Sequence, residues 1–203
     1  QFNLGGSDIQ ITQHTNYPWD GEVNLTFQVD QPAQFNLALR IPEWCADFKL
    51  TVNGTPTAAS PESGYVRLAR TWTTGDTVTL SLAMPVERIA ANPHVRQDAG
   101  CMALQRGPIV YCLEQVDNGP QLANVVIPRE SQLIAAVDAS LFGGVAVITG
   151  EAQRSEPANW QDGLYQPQSR LQYTNQPFTF TAIPYSFWAN REPGEMRVLV
   201  RES

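Results

Sequence analysis

EVNLTFQVDQPAQFNLALRI, residues 22–41, alternates apolar and polar side chains twice over. Val23, Leu25, Phe27 and Val29 fall on one side of an extended chain, and Glu22, Asn24, Thr26 and Gln28 fall on the other. Successive side chains of a strand change face, so this period of two marks a sheet with one buried side and one wet side. After Asp30-Gln31-Pro32 the pattern returns, with Phe35, Leu37, Leu39 and Ile41 set against Asn36, Ala38 and Arg40. Further out, Phe48, Leu50 and Val52 alternate again and stop at Asn53-Gly54, a pair that accepts the positive φ of a tight hairpin. Tyr65 to Ala69 and Val78, Leu80 and Leu82 add strands on either side of Trp72-Thr73-Thr74-Gly75-Asp76. Short alternating strands with frequent turns predict an all-β protein that begins with an antiparallel β-sandwich of jelly-roll type.

The texture changes near Asp117-Asn118-Gly119-Pro120, a punctuated loop that suggests a boundary. The expected organisation is a β-sandwich domain over residues 1–117 and a smaller β-sandwich or β-rich domain over 118–203. In the second part Leu122 to Ile127, Val145 to Ile148, Phe178 to Ile183 and Met196 to Val200 read as strands. Residues 130–142 compete between a short helix, with Leu133, Val137 and Leu141 four apart, and a turn. The polar stretch from Glu151 to Gln172 reads as a long surface loop.

Composition narrows the function. The 203 residues are 42% hydrophobic with five tryptophans and eight phenylalanines, which is enough for a sizeable core. Net charge is -7 without a Lys/Arg cluster, so the electrostatic footprint of a nucleic-acid groove is missing and a neutral partner such as a sugar suits the surface better. No apolar run approaches the roughly 18 residues of a membrane span. The opening QFNLGGSDIQ has neither the basic region nor the apolar core of a signal peptide, which leaves cytoplasmic, periplasmic and secreted locations open.

CMALQRGPIVYC, residues 101–112, is the most suggestive segment for chemistry. If Arg106-Gly107 is a two-residue turn, Cys101 falls opposite Cys112 and a cross-strand disulfide becomes geometrically available. A bulge near Pro108, which lacks a backbone N–H, would shift that register and leave two separate, partly buried thiols, the favoured reading. Zinc needs about four ligands, and three cysteines with the distant His14 and His94 offer no ligand spacing, so no metal or cofactor is expected. Cys112 lies among Ile109, Val110, Tyr111 and Leu113, where apolar surroundings disfavour a thiolate nucleophile. Arg106, Gly107, Pro108 and Cys112 are therefore read as a structural motif. Glycoside hydrolysis would need two carboxyl groups about 5–10 Å apart. Asp20, Glu22, Glu43, Glu114, Glu192 and Glu195 are available, mostly at turns and strand margins. Among the aromatic residues, Trp19, Trp44, Trp72 and Trp188 are candidates for carbohydrate stacking or for interdomain contact.

YPWDG at 17–21, LRIPEW at 39–44, VNG at 52–54, WTTGD at 72–76, ALQRGPIVYCLE at 103–114 and IPYSFWANREPGEMRV at 183–198 occur in the order of one family. Together they resemble the C-terminal, all-β portion of the bacterial β-L-arabinofuranosidase-like glycoside hydrolases, family 127. The resemblance implies that catalysis belongs to an upstream (α/α)6 barrel in which a cysteine nucleophile sits in a zinc site, with glutamates as ligand and acid/base. On that reading the chain is not itself an enzyme. It would be an accessory region that braces the barrel, with homodimer formation and plant-type glycans as further partners, and Cys112 would not inherit the nucleophile's role. The alternative is an autonomous carbohydrate-binding module, which would present several of the tryptophans on one exposed face.

Overall fold

The computed structural model describes residues 1–161 and 163–203. The chain is all-β, and its longest helical segment among the described residues is the single turn α1 (Gln115–Asn118). It divides into two compact units, Gln1–Pro85 and Val86–Ser203.

The first unit contains β1 (Phe2–Leu4), β2 (Ser7–Thr15), β3 (Glu22–Val29), β4 (Ala33–Arg40), β5 (Phe48–Val52), β6 (Thr55–Pro56), β7 (Tyr65–Trp72) and β8 (Thr77–Leu82). Six of these form one sheet in the order β1-β2-β3-β8-β5-β6, and β4 pairs with β7 as a separate two-stranded sheet. One core joins the two sheets: Leu25, Phe27, Leu50 and Leu80 from the larger meet Leu39, Val66, Leu68 and Trp72 from the smaller. A jelly roll divides eight strands between two sheets through paired Greek keys. Here the division is six and two, so the unit consists of two open sheets and the jelly-roll expectation is corrected. Alternation marks which side chains are buried; it carries no information on which strand becomes the neighbour of β4. The Asn53-Gly54 expectation holds. Val52 pairs with Thr55 across a two-residue loop in which both central residues have positive φ, 51° and 74°, as a type I′ hairpin requires.

The second unit contains β9 (Val86–Ala90), β10 (Cys101–Arg106), β11 (Ile109–Glu114), β12 (Val125–Ile127), β13 (Ile134–Asp138), β14 (Val145–Pro157), β15 (Tyr173–Pro184), β16 (Met196–Arg197) and β17 (Val200–Glu202). Pairings run β10-β11-β15-β14-β12-β17 and return to β10, which closes a β-barrel. All of these pairings are antiparallel except β12 with β17. Met102, Leu104, Tyr111, Leu113, Ile148, Phe180 and Val200 fill its core. This unit is β-rich, as expected, but it is a closed barrel rather than a sandwich, and it is the longer of the two rather than the smaller. The division falls after Pro85 rather than at 117/118 because β9, β10 and β11 pair with each other and with β15 and β17, all inside the second unit. Within residues 130–142 the chain forms β13 on the edge of β14, with Ile134 paired to Thr149, and not a helix. Glu151 to Pro157, read from sequence as loop, continues β14 against β15 out to the Pro157–Tyr173 pair.

Candidate functional site

The two strands of the 101–112 segment turn at Gly107-Pro108. Arg106 pairs with Ile109, Gln105 with Val110 and Leu104 with Tyr111. Gly107 has φ 56°, and proline's fixed negative φ at the next position rules out a type I′ turn, leaving the II′ geometry. The Gln105 side chain closes the turn by donating to the Gly107 carbonyl at 2.8 Å. This register puts Cys101 beside Arg201 and Cys112 beside Ile183, so the two thiols do not face each other. All three cysteines are free.

Alternation along β11 points Tyr111 and Leu113 into the barrel core, and it places Cys112 and Glu114 together on the opposite face. Both are buried there. Burial pushes the Cys112 thiol up to about 12; the Glu114 charge adds to the rise, Arg191 opposes it and Asp117 reinforces it. Arg191 binds Glu114 through one terminal nitrogen, which also reaches Asp117, and its other terminal nitrogen donates to Asp117 Oδ1 at 2.7 Å. Hydrogen bonds to Asp117 raise the guanidinium pKa further against the cost of burial, and those to Glu114 add to the effect. The second Glu114 oxygen accepts the Ala189 N–H at 3.0 Å. Asn118, also buried, pins α1 to the barrel: its amide donates to the Glu114 and Thr181 carbonyls, and its carbonyl accepts the Thr181 N–H.

This buried cluster holds up an exposed aromatic turn. Ala189 has φ 63°, a left-handed conformation that costs a residue with a Cβ about 1–2 kcal/mol. The Glu114 hydrogen bond and the Arg191 ion pairs hold it there. Trp188 N–H donates to the Tyr185 carbonyl at 3.1 Å, and the Asn190 amide donates to the carbonyls of Phe187 and Trp188. Phe142, a second left-handed residue, stacks on Phe187 at 4.6 Å with Arg191 over its ring. Tyr185 and Trp188 lie nearly parallel, 18° apart with centroids at 6.0 Å, and remain 45% and 41% exposed.

The sequence candidates scatter over this framework. Trp72 is fully buried, stacked on Phe27 at 4.3 Å with its indole N–H on the Phe35 carbonyl, so it is a core residue and no contact surface. Trp19 and Trp44 are half-buried, and Trp188 is exposed. Of the carboxylates, Glu114 enters the Arg191 cluster, while Glu195 accepts the N–H groups of Gln121 and Leu122. Asp20 and Glu22 line a small polar recess with His14 in the first unit, and Glu43 and Glu192 lie exposed. An open cleft of about 370 Å³ in the same unit is lined by Tyr17, Leu25, Leu39, Arg40 and Leu82, among others, and by none of the four tryptophans. Among the described residues no group of three or more His, Cys, Asp or Glu could hold a metal ion, so the zinc implied by the resemblance finds no ligand set in them. Asp117 and Arg191 were missed as site residues. Arg191 lies 77 positions from Glu114, and only the ANREPG punctuation around it hinted at a fixed turn.

Residues 1–84 match the β-L-arabinofuranosidase GH127 middle domain, and residues 86–201 match the glycoside hydrolase family 127 C-terminal domain. The chain is 39% identical over 204 aligned positions to the non-reducing end β-L-arabinofuranosidase of Bifidobacterium longum subsp. longum, covering 96% of this chain and 30% of that protein. A GH127 β-L-arabinofuranosidase from Geobacillus stearothermophilus T6 superposes with a TM-score of 0.93 at 47% identity, over 100% of this chain and 32% of that one. The GH127 β-arabinofuranosidase BT3674 superposes with a TM-score of 0.88 at 27% identity, over 100% and 33%. The chain thus spans about a third of the length of these relatives. The resemblance to the C-terminal portion alone is corrected, because the first unit matches the middle domain. With both units matched in order, the chain belongs to glycoside hydrolase family 127, of which it carries a middle and a C-terminal domain.

Proposed function

We propose that this chain is the non-catalytic β region of a bacterial glycoside hydrolase acting on L-arabinofuranosides. Its role is to brace an upstream (α/α)6 barrel that carries the zinc site, the cysteine nucleophile and the acid/base, and to provide surface for self-association. The observation that carries this reading is the state of Cys112. A nucleophilic cysteine needs a lowered pKa or an adjacent base, whereas this thiol is buried and pushed up to about 12 beside two carboxylates. Glu114 and Asp117 are equally unsuited to acid/base work, since Arg191 binds both. The relatives that carry the named activity are about three times as long. No helix among the described residues is long and apolar enough to cross a membrane.

The test is hydrolysis of 4-nitrophenyl β-L-arabinofuranoside by the purified 203-residue chain, run beside a longer protein that includes it. No turnover by the chain and turnover by the longer protein is the expected result; release of nitrophenol by the chain alone overturns the reading.

A further inference from the structure

We infer that the Tyr185–Trp188 pair is a stacking site for a neutral oligosaccharide. Both rings are 40% exposed or more, yet they are not loosely placed. The turn that presents them is fixed from beneath by the Glu114–Arg191–Asp117 cluster, by the left-handed Ala189 and by the Asn190 amide. Strained backbone at an exposed aromatic turn, held by buried charges, is a pattern found where a surface is organised in advance for a ligand.

The chemistry of the surface selects the ligand. Tyrosine and tryptophan present a flat apolar face with a polar edge at little cost in side-chain entropy. A sugar ring offers the complement, an apolar C–H face bordered by hydroxyls. In the same turn Ser186 and Asn190 are exposed and uncharged, with the Ser186 hydroxyl and the Asn190 side-chain carbonyl as polar groups while the Asn190 amide nitrogen holds the turn. The charged groups under the turn are already paired, and the chain carries net charge -7, so an anionic glycan or a nucleic acid is disfavoured. The two rings are stacked on each other, and each stays more than 40% exposed, which leaves ring surface free for a sugar.

The test titrates the purified chain with arabinohexaose and with xylohexaose, followed by tryptophan fluorescence and by calorimetry. At least one of the two is expected to bind saturably in the millimolar range, with affinity unchanged between low and high salt. Trp188→Ala should weaken binding about tenfold and abolish its fluorescence change, and Trp188→Phe should restore most of the affinity. Trp160→Ala, at an exposed tryptophan in a different loop, should change nothing. Folding of each variant is checked by circular dichroism, and Tyr185→Ala serves as a second variant with the same expected direction. Absence of saturable binding to both sugars by the folded chain overturns the inference, as does binding that survives Trp188→Ala. Loss of self-association in Trp188→Ala, without any effect of sugar, assigns the pair to a protein contact and overturns it equally.

Discussion

Arg191 shows how much of the second unit depends on one side chain. Its guanidinium is the counter-ion for two carboxylates, Glu114 and Asp117, whose side chains are only 5% and 17% exposed. Removing one member of a buried pair leaves the other members charged and desolvated, which costs more than the pair contributes when intact. Arg191→Ala should therefore destabilise the protein by about 3 kcal/mol or more. Arg191→Lys should recover only part of that, because an ammonium cannot span both carboxylates as the planar fork does. Urea midpoints measured for the second unit's transition would check both values, and a loss below about 1 kcal/mol for the alanine variant would mean that the cluster is solvated. The same neighbourhood disfavours the thiolate form of Cys112. Burial is the main obstacle to forming the thiolate, and the charges of Glu114 and Asp117 add to it against the opposing pull of Arg191. The apolar neighbours of Cys112 were legible in the sequence and already disfavour a thiolate; the arginine was not, because YCLE reads as a strand and nothing local in it announces a partner 77 positions from Glu114.

At the level of elements, two short motifs far apart in sequence turn out to be one structure. Asn53 of the hairpin turn donates to Asp76 Oδ1 at 2.7 Å and accepts the Thr77 N–H at 2.8 Å. Asp76 Oδ2 accepts the backbone N–H and the hydroxyl of Thr73, while the Thr74 hydroxyl bonds the carbonyl of Val29. The VNG and WTTGD motifs thus fasten the ends of β5, β7, β8 and β3 together. Burial alone would raise the Asp76 pKa, but the hydrogen bonds from Asn53 and Thr73, helped by Arg70, outweigh it and hold the carboxyl below its ordinary value. A carboxylate with a depressed folded pKa contributes stability that is complete above its unfolded value of about 3.9 and is lost as pH falls through the folded value. The first unit should accordingly lose stability on acidification below about pH 4, and Asp76→Asn should flatten that loss while lowering stability at pH 7. Denaturant midpoints at neutral and acid pH decide the matter; equal acid sensitivity in the variant would remove Asp76 as the cause. The turn residues here were legible because Asn-Gly and Gly-Asp have few other uses, and the alternating strands were legible for the same local reason. The pairing of β4 with β7 depends on neighbours distant in the chain, while the strand at 134–138 is one arm of a hairpin with β14 whose four-residue spacing of Leu133, Val137 and Leu141 imitates a helix.

For the whole molecule, the position of the boundary carries the most physical content. Sequence punctuation at Asp117-Asn118-Gly119-Pro120 looks like a linker, yet α1 and the residues after it are tied into the barrel through Asn118 and Glu195. The quieter joint between Pro85 and Val86 separates the two cores. Local composition reports where the chain bends; a domain is defined by which strands complete a sheet, and barrel closure through the parallel β12–β17 pair has no local signature. This makes the boundary testable by cutting. A polypeptide of residues 86–203 retains every member of the closed ring and should unfold in one cooperative transition with the near-ultraviolet signal of packed aromatics. A polypeptide of residues 118–203 lacks β10 and β11, so Phe180, Ala182 and Ile148 lose Leu104, Tyr111 and Leu113 as core partners and β15 is left with an unpaired edge. It should show no cooperative melt and should aggregate. A cooperative transition from 118–203, or its absence from 86–203, would mean that the barrel is not the folding unit, and the Glu114–Arg191 clamp would then have to be reinterpreted as a contact between two independently stable pieces.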